Sequence, residues 1–104
     1  MSENTQARRQ ILRISYPNLY EKLINELATH HIHPFDIQAT SKNIDDQLVE
    51  LEVRFGDNYG HHQRKQFAKD KINEKSDEFT NFCKEVGETC KEALIADYFK
   101  MVKP

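Results

Sequence analysis

The longest periodic pattern of apolar positions lies in residues 63–102, which contain no proline and a single glycine, Gly87. Apolar side chains recur there at spacings of three, four and seven, which line one face of an α-helix: Ala68, Ile72, Phe79, Cys83, Val86, Cys90, Leu94 and Tyr98. The pattern predicts one long amphipathic helix. Ser76 and the two acids after it are typical of a helix start, so a break there or near Gly87 stays open. Residues 77–102 hold most of the apolar stripe and are predicted to need burial.

A second helical pattern lies near the N-terminus. Residues 1–6 are polar and are predicted to be disordered, and a short helical pattern follows over residues 6–14. Pro17 interrupts it. Because proline suits the first position of a helix, a stronger helix is predicted over residues 17–30, and a kink at Pro17 that joins the two pieces stays open. The apolar residues of this helix have the required spacing: Leu19, Tyr20, Leu23, Ile24 and Leu27.

The middle of the chain changes to a period of two, which is typical of β-strands. Apolar residues alternate with polar ones in two runs: Phe35, Ile37 and Ala39, then Val49, Leu51, Val53 and Phe55. The turn-forming stretch SKNIDD separates the runs, and a second turn cluster, GDNYG, follows them. The pattern predicts a β-hairpin with one buried and one solvated face. Residues 1–104 are therefore predicted to form a single α+β domain in the order helix, strand, strand, helix.

Composition indicates a folded protein and predicts its location. The chain is 38% hydrophobic and 31% charged, which is typical of a folded domain rather than a disordered segment. No apolar run reaches the roughly 20 residues of a membrane span, and the N-terminal residues lack the apolar core of a secretory signal. These features predict a cytoplasmic protein.

The long helix and the small sheet together predict self-association. A two-stranded hairpin is marginal in water, and its edges can recruit another strand. We therefore expect a non-enzymatic protein-interaction or regulatory domain, homodimeric through the C-terminal helix, the hairpin edge or both. The side chains predicted to meet a partner lie on the helix: Phe79, Phe82, Val86, Leu94, Tyr98 and Phe99.

A basic group at the start of the predicted C-terminal helix raises nucleic-acid binding as an alternative: Arg64, Lys65, Lys69 and Lys71. Phosphate contacts rely on clustered lysine and arginine. Asp70 and Glu74 lie among these residues, and charges of both signs are more typical of a solvated helix face. Residues 32–59 carry two basic and six acidic residues, which argues against a phosphate-binding surface centred there.

A third alternative is a metal or pH sensor built from the five histidines, which flank the hairpin: His30, His31, His33, His61 and His62. Imidazole clusters suit zinc, copper or nickel, and histidine titrates near neutral pH. The spacing matches no established zinc motif, so loop and helix-end positions explain these residues as well.

The sequence offers no pattern for catalysis and predicts no cofactor. A glycine-rich phosphate loop and a nucleophile motif are both missing from it. Cys83 and Cys90 are seven residues apart on the apolar face of the predicted helix, roughly 10 Å from one another, which is too far for a disulfide. They are predicted to be buried core residues rather than nucleophiles.

Overall fold

The structure is a computed structural model that describes the backbone of residues 8–102 and their side chains, except those of Asp57 and residues 97–102. The predicted disorder of residues 1–6 lies outside the described residues. The elements are β1 (Arg9–Ile11), α1 (Leu12–Ser15), α2 (Pro17–Ala28), β2 (Ile37–Asn43), β3 (Leu48–Phe55), β4 (His61–Ala68) and α3 (Asp77–Val102), with 3₁₀ turns at Pro34–Asp36 and Asp57–Tyr59. The predicted α+β class is confirmed.

The predicted hairpin forms the centre of a four-stranded antiparallel sheet in the order β1, β2, β3, β4. Its two strands pair from Ile37↔Phe55 to Asn43↔Val49, so the hairpin is present as predicted, but β2 continues through Ser41–Asn43, which the sequence assigned to the turn. β1 covers the outer side of β2 from Thr40 to Lys42, and β4 covers β3 along its whole length. The chain itself therefore supplies the two extra strands that the sequence led us to expect from a second subunit.

The predicted basic start of the C-terminal helix is instead the strand β4, so the single helix over residues 63–102 is wrong. β4 is polar, and only Phe67 is buried in it. Glutamine, lysine and arginine favour helices intrinsically, but β3 needs a neighbour and this tertiary pairing overrides the local preference. Polar groups match across the β3–β4 pair: Glu50↔Gln66, Glu52↔Arg64 and Arg54↔His62.

The C-terminal helix begins where its capping signal lies. Ser76 Oγ accepts a hydrogen bond from the Phe79 N–H at 3.2 Å, so the break at Ser76 is real. α3 then continues through Gly87 without a break. A Cβ at Gly87 would lie 2.6 Å from Cδ2 of His30. Gly87 therefore allows the turn after α2 to approach α3 closely.

The N-terminal segment is divided differently from the predicted pattern. Residues 9–11 form β1 and only the four residues of α1 are helical before Pro17. Pro17 starts α2 as its first helical residue, with Tyr16 as the capping residue, so the two pieces do not form one kinked helix. This arrangement leaves Ile11 and Ile14 exposed, although Leu12 between them is buried.

The core lies between the helices and one face of the sheet. α2 contributes Leu19, Leu23 and Leu27 at intervals of four residues, which is one helix face. Phe67 of β4 packs edge-on against Phe82 of α3, with ring centroids 5.6 Å apart. Among the described residues, no helix combines the length and apolar character that crossing a membrane requires. α3 is amphipathic because one of its faces packs against the sheet and the other is exposed to solvent.

Candidate interaction surfaces

An apolar groove lies along the outer side of β2, where β1 ends. The last β1–β2 pair is Ile11↔Thr40, so within the described chain residues 37–39 have no strand neighbour on this side. The groove has a volume of ≈ 440 Å³. Its apolar lining is Ile11, Tyr20, Pro34, Phe35, Ile37 and Ala39. Because Ile11 is 55% exposed, apolar surface at this groove is open to solvent.

Phe35 stands at the rim of the groove and is 83% exposed, the largest fraction among the exposed apolar residues of the described chain. The alternating pattern predicts it on the buried face of the first strand, and this is wrong. Pro34 starts a 3₁₀ turn, and the strand begins only at Ile37. Since Phe35 is not in the strand, the period of two does not determine its direction.

The backbone that carries Phe35 is held by three hydrogen bonds. The Phe35 N–H donates to Nδ1 of His33 at 3.1 Å, and the His33 N–H donates to Oδ2 of Asp36 at 3.0 Å. From the 3₁₀ turn after β3, the Tyr59 hydroxyl donates to the Phe35 carbonyl at 3.2 Å. The His33 ring also lies 4.8 Å from the Phe35 ring, centroid to centroid. The exposed aromatic ring therefore sits on an ordered support.

The face of the sheet opposite the helices carries an ion cluster centred on Glu52. This side chain is only 2% exposed. Three arginine Nε atoms surround its carboxylate, from Arg9 at 3.5 Å, Arg54 at 3.2 Å and Arg64 at 3.4 Å. Arg9 also pairs with Glu50. The cluster ties β1, β3 and β4 together, and its two carboxylates offset two of the three arginine charges. Lys42 of β2, which lies opposite Glu50 in the sheet, adds a further cation to this face.

The structure divides the residues predicted to bind nucleic acid. Arg64 lies on the open face beside Glu52, whereas Lys65 projects from the opposite face of β4, with Nζ 5.8 Å from the centroid of the Phe67 ring. The Lys69 N–H bonds the Gln47 carbonyl, and Lys71 lies in the turn after β4. They do not form the basic helix start that the sequence predicts, because this segment is a strand and a turn.

The five histidines do not assemble the predicted metal site. His30 lies 3.7 Å from a Glu26 oxygen and His33 caps the turn before β2. His61 stacks on Phe55, and His62 Nε2 is 3.2 Å from Nη2 of Arg64. His31 is exposed in the turn after α2. Within the described residues, no three His, Cys, Asp or Glu side chains converge to hold a metal ion.

The two cysteines are buried, as their spacing predicts. Both are free thiols in the stripe of α3 that faces the core. Burial and, to a smaller extent, the nearby Glu26 carboxylate raise the pKa of Cys83 to about 12, and the Lys22 cation opposes this shift. Burial likewise raises the pKa of Cys90 to about 11. A buried thiol that stays protonated is a poor nucleophile.

The helix side chains predicted to meet a partner mostly face the chain's own core. Phe79, Phe82 and Val86 are at most 1% exposed because α3 packs them against the sheet, so the structure corrects the prediction for these three. Leu94 is half-buried against the same core. The side chains of Tyr98 and Phe99 lie outside the described ones.

The groove and its exposed ring are a candidate functional feature that the sequence pattern did not predict. The signal was present in His33-Pro34-Phe35-Asp36, since proline at the first helical position and an acid three residues after the cap are typical of a short helical turn. Comparison with models of protein families, with curated proteins and with solved structures found no match to this chain.

Proposed function

We propose that this protein is a non-enzymatic interaction domain that self-associates through the groove beside β2. The observation that carries the proposal is Phe35, a large apolar side chain that is 83% exposed on a hydrogen-bonded turn. Exposed apolar surface next to a recess is typical of protein–protein contact sites, and a pre-ordered aromatic anchor loses little entropy on binding.

A second copy of the chain is the occupant that this surface fits best. A twofold interface requires a patch that is complementary to itself, with a protrusion and a recess side by side. Phe35 is the protrusion, and the groove between Ile11 and Tyr20 is the recess. Charge supports the same pairing, because Asp36 follows Phe35 while Arg13 lines the groove. When Phe35 of one copy enters the groove of the other, these opposite charges approach each other.

Two further observations support the proposal. Residues 37–39 of β2 have outward backbone groups that a strand from the other copy can pair with. The chain's cysteines are buried, with pKa values raised to about 12 and about 11, which favours a binding role over nucleophilic catalysis. A cytoplasmic location remains a prediction from the sequence.

The test is the mass in solution, measured by light scattering over a range of protein concentrations. We expect the wild type to reach the dimer mass and Phe35→Ser to remain monomeric. Ile44→Ser is the matched control, because Ile44 is also an exposed apolar residue, at 38%, but does not line the groove. Circular dichroism of each variant verifies that the fold is intact.

Two results would overturn the proposal. A wild type that stays monomeric at every concentration excludes self-association. A dimer that survives Phe35→Ser but is lost in Phe99→Ser places the interface at the end of α3, as the sequence alone predicts.

A further inference from the structure

The outer side of β4 is a long strand edge at the opposite end of the sheet from the groove. The β3–β4 ladder runs from Leu48↔Ala68 to Phe55↔His61 with every residue paired, so β4 is regular over its 8 residues. No strand among residues 8–102 pairs with its other side. Every second residue of such a strand directs its N–H and C=O outward, where one more strand can pair.

The charges carried by the β4 segment itself have one sign, although Glu85 of α3 accepts a hydrogen bond from the Gln63 side chain at 3.4 Å. Residues 58–69 include three cations, Arg64, Lys65 and Lys69, and no acid. Arg64 and Lys65 are exposed and, as neighbours in a strand, project from opposite faces of the sheet. Arg64 turns its Nε towards Glu52 while its side chain stays 48% exposed. A strand that docks on β4 therefore meets a cation on each of its faces.

We infer that β4 binds an extended acidic segment of another protein, which joins the sheet as a fifth strand. Two adjacent acidic residues in that segment would point to opposite faces, one towards Arg64 and the other towards Lys65. Opposite charges across a strand pair are stabilising, and like charges are destabilising. The main-chain bonds supply affinity in this mode, and the charges supply specificity.

A second copy of this chain does not fit the same edge. β4 contains cations, histidines and neutral residues but no acid, so no register of two β4 strands pairs a cation with a carboxylate. Cationic edge strands are a common protection against self-pairing. That protection does not act against an acidic strand.

A peptide also fits better than a nucleic acid. The outward edge presents backbone acceptors as well as donors, and a phosphate chain can use only the donors. A strand confined to the edge can keep its acids close to Arg64 and Lys65.

The test uses three fluorescently labelled peptides as long as β4, made of strand-forming residues with a central pair of glutamates, glutamines or lysines. Fluorescence anisotropy should show the tightest binding for the glutamate peptide. Lys65→Glu should weaken that binding about fivefold and strengthen binding of the lysine peptide. Lys91→Glu makes the same charge change at an exposed site on α3 and should have little effect.

Amide hydrogen exchange locates the bound peptide. We expect the glutamate peptide to slow exchange within residues 61–68. The inference is overturned if the three peptides bind equally, if Lys91→Glu weakens binding as much as Lys65→Glu, or if exchange slows elsewhere instead. It is also overturned if a single-stranded oligonucleotide binds more tightly than the glutamate peptide and loses its affinity in Lys65→Glu, because the edge is then a polyanion site.

Discussion

Replacing Glu52 by glutamine should destabilise this domain more than any other single charge removal on the open face of the sheet. Glutamine keeps nearly the same shape but removes the negative charge from the centre of the cluster. Arg9, Arg54 and Arg64 would then surround a neutral amide at distances of 3.2 to 3.5 Å from the former carboxylate oxygens. Their mutual repulsion would no longer be offset where they converge.

The exposure of the arginines determines the size of the effect. Removing one partner of a fully buried ion pair lowers the free energy of unfolding by about 3–5 kcal/mol, whereas an exposed ion pair contributes about 0.2–1 kcal/mol to it. Glu52 is 2% exposed, but Arg54 and Arg64 are 50% and 48% exposed, so solvent screens both guanidinium groups. Three screened pairs and the new repulsion give a loss of about 2 kcal/mol in the free energy of unfolding. For a domain of this size, the midpoint of thermal unfolding should fall by about 10 °C.

Denaturant and thermal unfolding followed by circular dichroism measure this loss. Glu50→Gln is the control, because Glu50 pairs with Arg9 at the margin of the cluster and should contribute only about 0.5 kcal/mol. The difference in the free energy of unfolding between Glu52→Gln and the wild type should become smaller in high salt, where the charges are screened. A loss below about 0.5 kcal/mol, or one no larger than that of Glu50→Gln, would refute the view that Glu52 is the centre of the cluster.

Two other predictions follow from the packing of α3. Gly87→Ala should destabilise the domain by about 1 kcal/mol, because the added Cβ would lie 2.6 Å from the His30 ring. In a His30→Ala background the same change should instead stabilise the domain by about 0.5–1 kcal/mol, because alanine favours a helix more than glycine does. Equal effects of Gly87→Ala in both backgrounds would contradict the clash. The free energy of unfolding should also fall at alkaline pH. Burial raises the pKa of the Cys83 thiol from 9.0 to about 12, so the protonated thiol stabilises the fold fully below pH 9.0 and loses that effect as the pH rises towards 12. Cys83→Ala should flatten this decline in the thermal midpoint, and an unchanged slope would argue against thiolate formation as its cause.

The sequence predicts the elements whose periodicity coincides with burial. Leu19, Leu23 and Leu27 repeat at four residues in α2, and β3 alternates because one of its faces is covered. Ser76 also marks the start of α3 through a local hydrogen bond that depends on no distant residue. In these segments, local pattern and tertiary contact favour the same structure.

The segments that were predicted wrongly are those whose conformation is determined by tertiary contacts and not by the local sequence. β4 buries Phe67 alone, so its pattern carries almost no period, and its conformation depends on the open side of β3. β1 has three residues, too few for a period. The groove could not be predicted because it exists only where β1 stops short of residues 37–39 and the turn at Phe35 comes beside it. Each of these features depends on which segments of the chain lie next to each other in the fold.

The two proposed contact surfaces lie at opposite edges of the sheet. The helices cover one face, and on the other face Glu50 and Glu52 offset part of the positive charge within the fold. The two edges differ in chemistry: the groove beside β2 is lined mainly by apolar residues, while β4 carries cations and no acid. Because β2, β3 and β4 lie between them, the two surfaces should act independently, as distant sites usually do. Phe35→Ser should therefore leave the affinity for the glutamate peptide unchanged, and Lys65→Glu should leave the solution mass unchanged. Coupling between the two changes would mean that one surface, rather than two, carries the interactions of this domain.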